Sequence, residues 1–218
     1  MTEPCAFLLV SLSPFAHAQH VKSERFLCAD LEHKSALALA AGETRDCFRV
    51  KLTTTEPDEK CYFRFDPEGG DLATSGAEIR HNDNVSIVEV GGRSRTRLHA
   101  TFGTKGIYTP RHEREVNLSL APQRARWRVH LYKGYHELQQ LEVPRGNHFS
   151  AKDMLRFGDI VRLKNSENGA YVAASTSGEK APFLQRSFHH ASVTAKQIFV
   201  LEHSQFGQGG ILHGGEDV

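Results

Sequence analysis

Eight arginines crowd the middle of the chain: Arg93, Arg95, Arg97, Arg111, Arg114, Arg124, Arg126 and Arg128. A guanidinium presents a planar fork of donors that matches phosphate-type oxygens, so this concentration has the chemistry of polyanion recognition. Arg124, Arg126 and Arg128 alternate with Ala125, Trp127 and Val129, which places three cations on one strand face and apolar groups on the other. Heparin, phosphoinositides and RNA phosphates are the ligands such a patch suits, and a solvated face turned toward a neighbouring domain is the plainer reading. Thirteen histidines raise the question of a metal, with His17 and His20 separated by two residues and His189 beside His190. Zinc needs three or four converging ligands, and neither pair has a Cys or carboxylate set at suitable spacing. Gly207-Gln208-Gly209-Gly210 lacks the Lys-Ser/Thr of a phosphate loop and reads as a turn. Neither a Gly-x-Ser-x-Gly element nor a pair of carboxylates at catalytic spacing occurs. The sequence therefore predicts a non-catalytic chain without metal or cofactor.

The cysteines are Cys5, Cys28, Cys47 and Cys61, none of them in Cys-x-x-Cys spacing. A reduced, cytosolic chain is the simpler account of that pattern. Ala6 to Leu12 followed by Ala16-His17-Ala18 resembles a short secretory leader with an Ala-x-Ala cleavage site. Its leading segment carries Glu3 and no Lys or Arg, so it reads instead as a stretch of buried strand.

The 218 residues carry 27 Lys+Arg against 26 Asp+Glu, a net charge of +1, which argues against non-specific nucleic-acid binding as the main task. At 39% hydrophobic and 24% charged, the chain has material for a packed core. No apolar run reaches the roughly 18–20 residues a membrane-crossing helix needs.

The elements that would position these groups are strands. Phe48 to Leu52, Tyr62 to Phe65, Val85 to Val90, Val116 to Leu120, Trp127 to Leu131, Ile160 to Leu163 and Ile198 to Leu201 all alternate or run apolar between turns. The candidate helices are short, Asp30 to Ala41 and His136 to Leu141. Three segments share one grammar: 21–29, 90–100 and 163–173, with Leu27, Leu98 and Val172 spaced 71 and 74 residues apart. Each leads to a Val-x-Leu or Ser-Val-Thr strand and then to an aromatic-led closing strand. Such four-strand lobes build β-trefoils, which bury their core only when three close together. The predicted class is all-β, with β-trefoil lobes. Lys133 to Asp153, with Gly134, Pro144, Gly146 and Asn147, reads as a linker.

Met154 to Leu163 with Tyr171-Val172-Ala173-Ala174 resembles the opening of a MIR-type lobe, such as the one that begins the second trefoil of inositol trisphosphate receptors. Arg126 to Tyr132 is similar to the last strand of that family's first trefoil. Cys61 to Phe65, followed by Ile79 to Val85, is similar to the junction of its second and third lobes, and Lys196 to Gly210 to a long turn of its second trefoil. The resemblance spans Val21 to Gly210. It implies a partial first trefoil over 1–132, a linker over 133–153 and the start of a second trefoil over 154–218. On that division, lobe faces stay uncovered unless the chain self-associates or its three lobes close on one another.

The resemblance further implies a regulatory region of an inositol trisphosphate/ryanodine receptor-like calcium-release channel. It would sit on the cytosolic face of the endoplasmic reticulum, not inserted in the membrane, among other domains and subunits of a tetramer. Inositol phosphate would be its ligand only in the intact parent, through Arg186 and Lys180 around the loop that follows Phe183-Leu184. Two groups fall short of the several contacts a polyphosphate needs at micromolar concentration. MIR lobes also occur in protein O-mannosyltransferases and related luminal proteins. The alternatives are therefore a luminal MIR domain beside such an enzyme, with Asn84-Val85-Ser86 and Asn117-Leu118-Ser119 as sequons, or a free-standing phosphate- or glycan-binding trefoil.

Overall fold

The computed structural model describes residues 15–35, 47–53, 56–68, 76–91, 95–100, 114–120, 125–132, 153–174, 182–185, 195–203 and 209–214. Twelve strands account for most of them. The first lobe holds β1 (Phe15–His20), β2 (Arg25–Lys34), β3 (Cys47–Thr53) and β4 (Phe63–Pro67). The second holds β5 (Asn84–Glu89), β6 (Arg97–Ala100), β7 (Arg114–Ser119) and β8 (Arg126–Leu131). The third holds β9 (Ile160–Asn165), β10 (Tyr171–Ala173), β11 (Phe183–Gln185) and β12 (Phe199–His203).

Pairing follows the period-two pattern. In β8, Trp127 and Val129 are fully buried while Arg126 is exposed. In β9, Val161 and Leu163 turn into the core between Ile160, Arg162 and Lys164. First and last strands of the lobes pair antiparallel in the ring β1–β4–β5–β8–β9–β12–β1, which leaves no edge in the barrel. The hairpins β2–β3, β6–β7 and β10–β11 cap one end, joined through β3–β7 and β7–β11. The architecture is a β-trefoil.

The opposite end is closed by three short segments related by the same pseudo-threefold. Ile79 N–H donates to the Leu212 carbonyl (3.0 Å), Leu212 N–H to Leu155 (2.8 Å) and Leu155 N–H to Ile79 (2.8 Å). All three side chains are fully buried. Two of the segments run into matching turns, in which the Asp83 and Asp159 carboxylates accept from the backbone N–H of Arg80 and Arg156. The penultimate turn residue takes positive φ in both, Asn82 at 70° and Gly158 at 92°. Asn and Gly are the residues that tolerate it.

This closure corrects the expected division into 1–132 and 154–218. β8 and β9 pair over five positions from Trp127↔Asn165 to Leu131↔Val161, and β1 pairs β12 from Ala16↔His203 to His20↔Phe199. The lobe faces thus cover one another within this chain, and the strands on either side of 133–153 belong to one barrel. Other expectations shift locally. Asp30 to Lys34 extends β2 instead of opening a helix, because Asp30 pairs with Arg49 on β3. The cap strand of the third lobe is Phe183–Gln185, whereas Ser192 to Thr194 lies outside the described residues, as does His136 to Leu141. Ala16 and Ala18 are buried in β1, so cleavage after Ala18 would remove most of the strand that β12 pairs with.

A disulfide joins Cys28 of β2 to Cys61 in the turn before β4, where the sequence pattern predicts thiols. The two sulfurs and Phe26 form a small apolar cluster apart from the main core. Cys47 is buried and Cys5 lies outside the described residues.

Candidate functional site

Barrel register assembles a row of polar side chains on the outer face of four strands. Asn84 of β5 stands opposite Arg128 of β8, Arg128 opposite Lys164 of β9, and Lys164 opposite Tyr171 of β10. The next outward pair along β8 and β9 is His130↔Arg162. Two cations directly opposite in an antiparallel pair repel and lower stability unless something neutralises them. Among the described residues, neither Arg128 nor Lys164 forms an ion pair.

The surroundings hold these groups in place. Arg128 Nε donates to Asn84 Oδ1 (3.2 Å), which also accepts from Ser166 Oγ (3.0 Å). Arg162 is nearly buried, stacked 3.6 Å over the Tyr171 ring and donating to Gln197 Oε1 (2.7 Å). Gln197 donates in turn to Gln185 Oε1 (3.2 Å). The Lys164 ammonium lies 5.8 Å from the centre of the Tyr171 ring.

His130 reports the local field. Its Nε2 lies 3.1 Å from Asn82 Oδ1, an acceptor, and its Nδ1 lies 3.4 Å from the Tyr171 hydroxyl. The neutral ring with its proton on Nε2 meets both partners. Burial comes first among the causes that push its pKa down to about 3, followed by the charges of Lys164, His81, Arg162 and Arg128. Beside it, His81 Nδ1 accepts from the Leu131 N–H (3.0 Å). Burial lowers the His81 pKa too, against the pull of Asp153 and Asp83.

A pH dependence follows. Below about pH 6.5 the unfolded chain protonates His130 while the folded chain resists until about pH 3, so the unfolded state binds more protons and stability falls as pH drops through that window. The expected loss is about 1–3 kcal/mol after allowance for partial exposure. His17, buried against Phe26 and Tyr62 and bonded to Glu202 at 2.9 Å, is also lowered by burial and adds to the slope. Urea midpoints at pH 7 and pH 4 measure the effect, and His130→Gln should flatten it. An unchanged slope in that variant would contradict this account of the cluster.

The sequence-derived sites fare unevenly. Lys180, Arg186, Arg124, Arg93, Arg111, His189 and His190 lie outside the described residues. Phe183 and Leu184, expected to lead a ligand loop, are strand residues paired with β10 and β7. Arg97 and Arg114 belong to the cap, on β6 and β7. Arg126 is tied to Glu68 (2.8 Å) instead of joining Arg128. Of the sequons, Asn117 is fully buried and hydrogen-bonded to His99 and Ser35, while Asn84 is half-buried in the polar row. The sequence reading does not single out Arg162, Lys164, His130 and Tyr171 as site residues, although Ile160-Val161-Arg162-Leu163-Lys164 alternates as clearly as β8 does. Among the described residues, no group of three His, Cys, Asp or Glu side chains converges as a metal site.

No protein-family model matches the chain, and no curated protein matches it. Solved structures share its fold. An SDF2-like protein from Arabidopsis thaliana is 11% identical with a TM-score of 0.59, over 90% of this chain and 93% of that one. A Caenorhabditis elegans protein of unknown function is 12% identical with a TM-score of 0.58, over 86% and 92%. The Saccharomyces cerevisiae protein O-mannosyltransferase Pmt1-Pmt2 complex, bound to its sugar donor, is 11% identical with a TM-score of 0.60, over 93% of this chain and 26% of that one. The likeness is one of fold.

Proposed function

We propose that this chain is a non-catalytic MIR-type trefoil that works in an oxidising luminal compartment, as a binding module associated with protein O-mannosylation. The Cys28–Cys61 disulfide carries the reading, because such bonds form and persist in secretory compartments and are rare in the cytosol. The fold shared with an SDF2-like protein and with a portion of an O-mannosyltransferase supports the same setting. Among the described residues no helix is long and apolar enough to cross a membrane.

The calcium-release-channel reading rests on the motif resemblance alone. The lobe offset it needed is not the strand pairing observed, and its ligand residues Arg186 and Lys180 lie outside the described residues.

Protease protection on membranes from cells making the chain with its natural N-terminus tests the placement. The chain should resist added protease until detergent opens the vesicles. Proximity labelling from the chain should then mark a protein O-mannosyltransferase above a luminal control. Asn117, enclosed in the fold, should carry no glycan. Digestion without detergent would overturn the luminal assignment.

A further inference from the structure

We propose that the Arg128–Lys164 pair, on the outer barrel face between β5 and β10, is a binding site for a tetrahedral oxyanion, a phosphate or sulfate group. The proposal is independent of the compartment in which the chain works. Its first support is an arrangement that lowers stability. Antiparallel register sets the two residues directly opposite each other on neighbouring strands, and among the described residues neither has an anionic partner. A neighbouring arginine shows that this fold neutralises such groups elsewhere: Arg126, two residues away on the same face, is paired with Glu68.

The second support is pre-organisation. Asn84 engages Arg128 at Nε and is itself fixed by Ser166, which leaves the terminal guanidinium nitrogens as the donors for a ligand. On the other side, Tyr171 stands opposite Lys164, and its ring is covered by the stacked Arg162 guanidinium. An oxyanion bridging Arg128 and Lys164 would accept from a planar fork and an ammonium at once, the pairing that suits a compact tetrahedral anion.

His130 stands within reach of these charges. After burial, the charges of Lys164, His81, Arg162 and Arg128 disfavour a proton there, whereas Asp153 and Asp83 act on His81. A bound anion would cancel some of that field, so His130 is a built-in reporter.

The test is a titration of the whole chain with inorganic phosphate and, separately, inorganic sulfate, read by the imidazole resonances of His130, assigned by their loss in His130→Gln. The expected result is a saturable shift at low-millimolar anion and a rise in the His130 pKa. Lys164→Gln and Arg128→Gln should each weaken half-saturation about tenfold or more. Arg126→Gln should leave it within about twofold. Lys164→Gln relieves repulsion, so it should melt no lower than the parent at low salt, which separates lost binding from lost folding. Tighter saturation by methyl phosphate than by methyl sulfate would assign the phosphate ester, and the reverse order the sulfate ester. A flat response to both inorganic anions, or equal loss in Arg126→Gln, would overturn the proposal.

Discussion

Replacing Trp127 with alanine is expected to lower unfolding free energy by about 3–5 kcal/mol, the range for truncating a fully buried aromatic ring. The ring lies in the main core on β8, and its Nε1–H donates to the Leu98 carbonyl of β6 at 2.8 Å. One side chain thus ties the barrel to the hairpin cap. Trp127→Phe retains most of the apolar volume but leaves the buried Leu98 carbonyl without that donor, a loss of about 1–3 kcal/mol. Trp127 is the only tryptophan, so urea unfolding is followed by circular dichroism, not fluorescence. Equal losses in the two variants would mean that the hydrogen bond, and not the ring's volume, dominates at this position.

Removing the disulfide is the second large expected effect. Cys28 and Cys61 are 33 residues apart. Closing a loop of that size in the unfolded chain corresponds to about 3–4 kcal/mol by the chain-entropy relation. Cys61→Ser should show that loss, increased by the burial of a hydroxyl where an apolar sulfur packed against Phe26. Reduction of the parent chain should reproduce most of it. A parent whose urea midpoint ignores reductant would contradict the bond's structural role.

Strands were legible because alternation is local. Phe48 to Leu52, Trp127 to Leu131 and Ile160 to Leu163 each declare a buried and an exposed face within a few residues, and β3, β8 and β9 follow them. The lobe repeat was legible for the same reason, with Leu27, Leu98 and Val172 falling on β2, β6 and β10. Closure was not. The β1–β12 seam joins residues at opposite ends of the chain, and the Ile79–Leu155–Leu212 ring draws on three distant segments. No short-range pattern marks either, and the Gly- and Pro-containing stretch after Tyr132 reads locally as a boundary.

The site was half legible. Arg128 was found because it alternates with core residues in a dense arginine run. Lys164 and Arg162 were missed because their significance depends on the β8–β9 register, which sets like charges opposite each other. Lacking Cys-x-x-Cys spacing, Cys28 and Cys61 gave no sign of their proximity. The fold brings them together by seating the turn before β4 against β2.

The most direct measurement is disulfide mapping of the chain isolated from its natural source under alkylating conditions. The account predicts a single cross-linked pair of peptides containing Cys28 and Cys61, released only by reductant. Recovery of both residues as alkylated thiols from freshly isolated, folded chain would contradict the oxidising luminal placement.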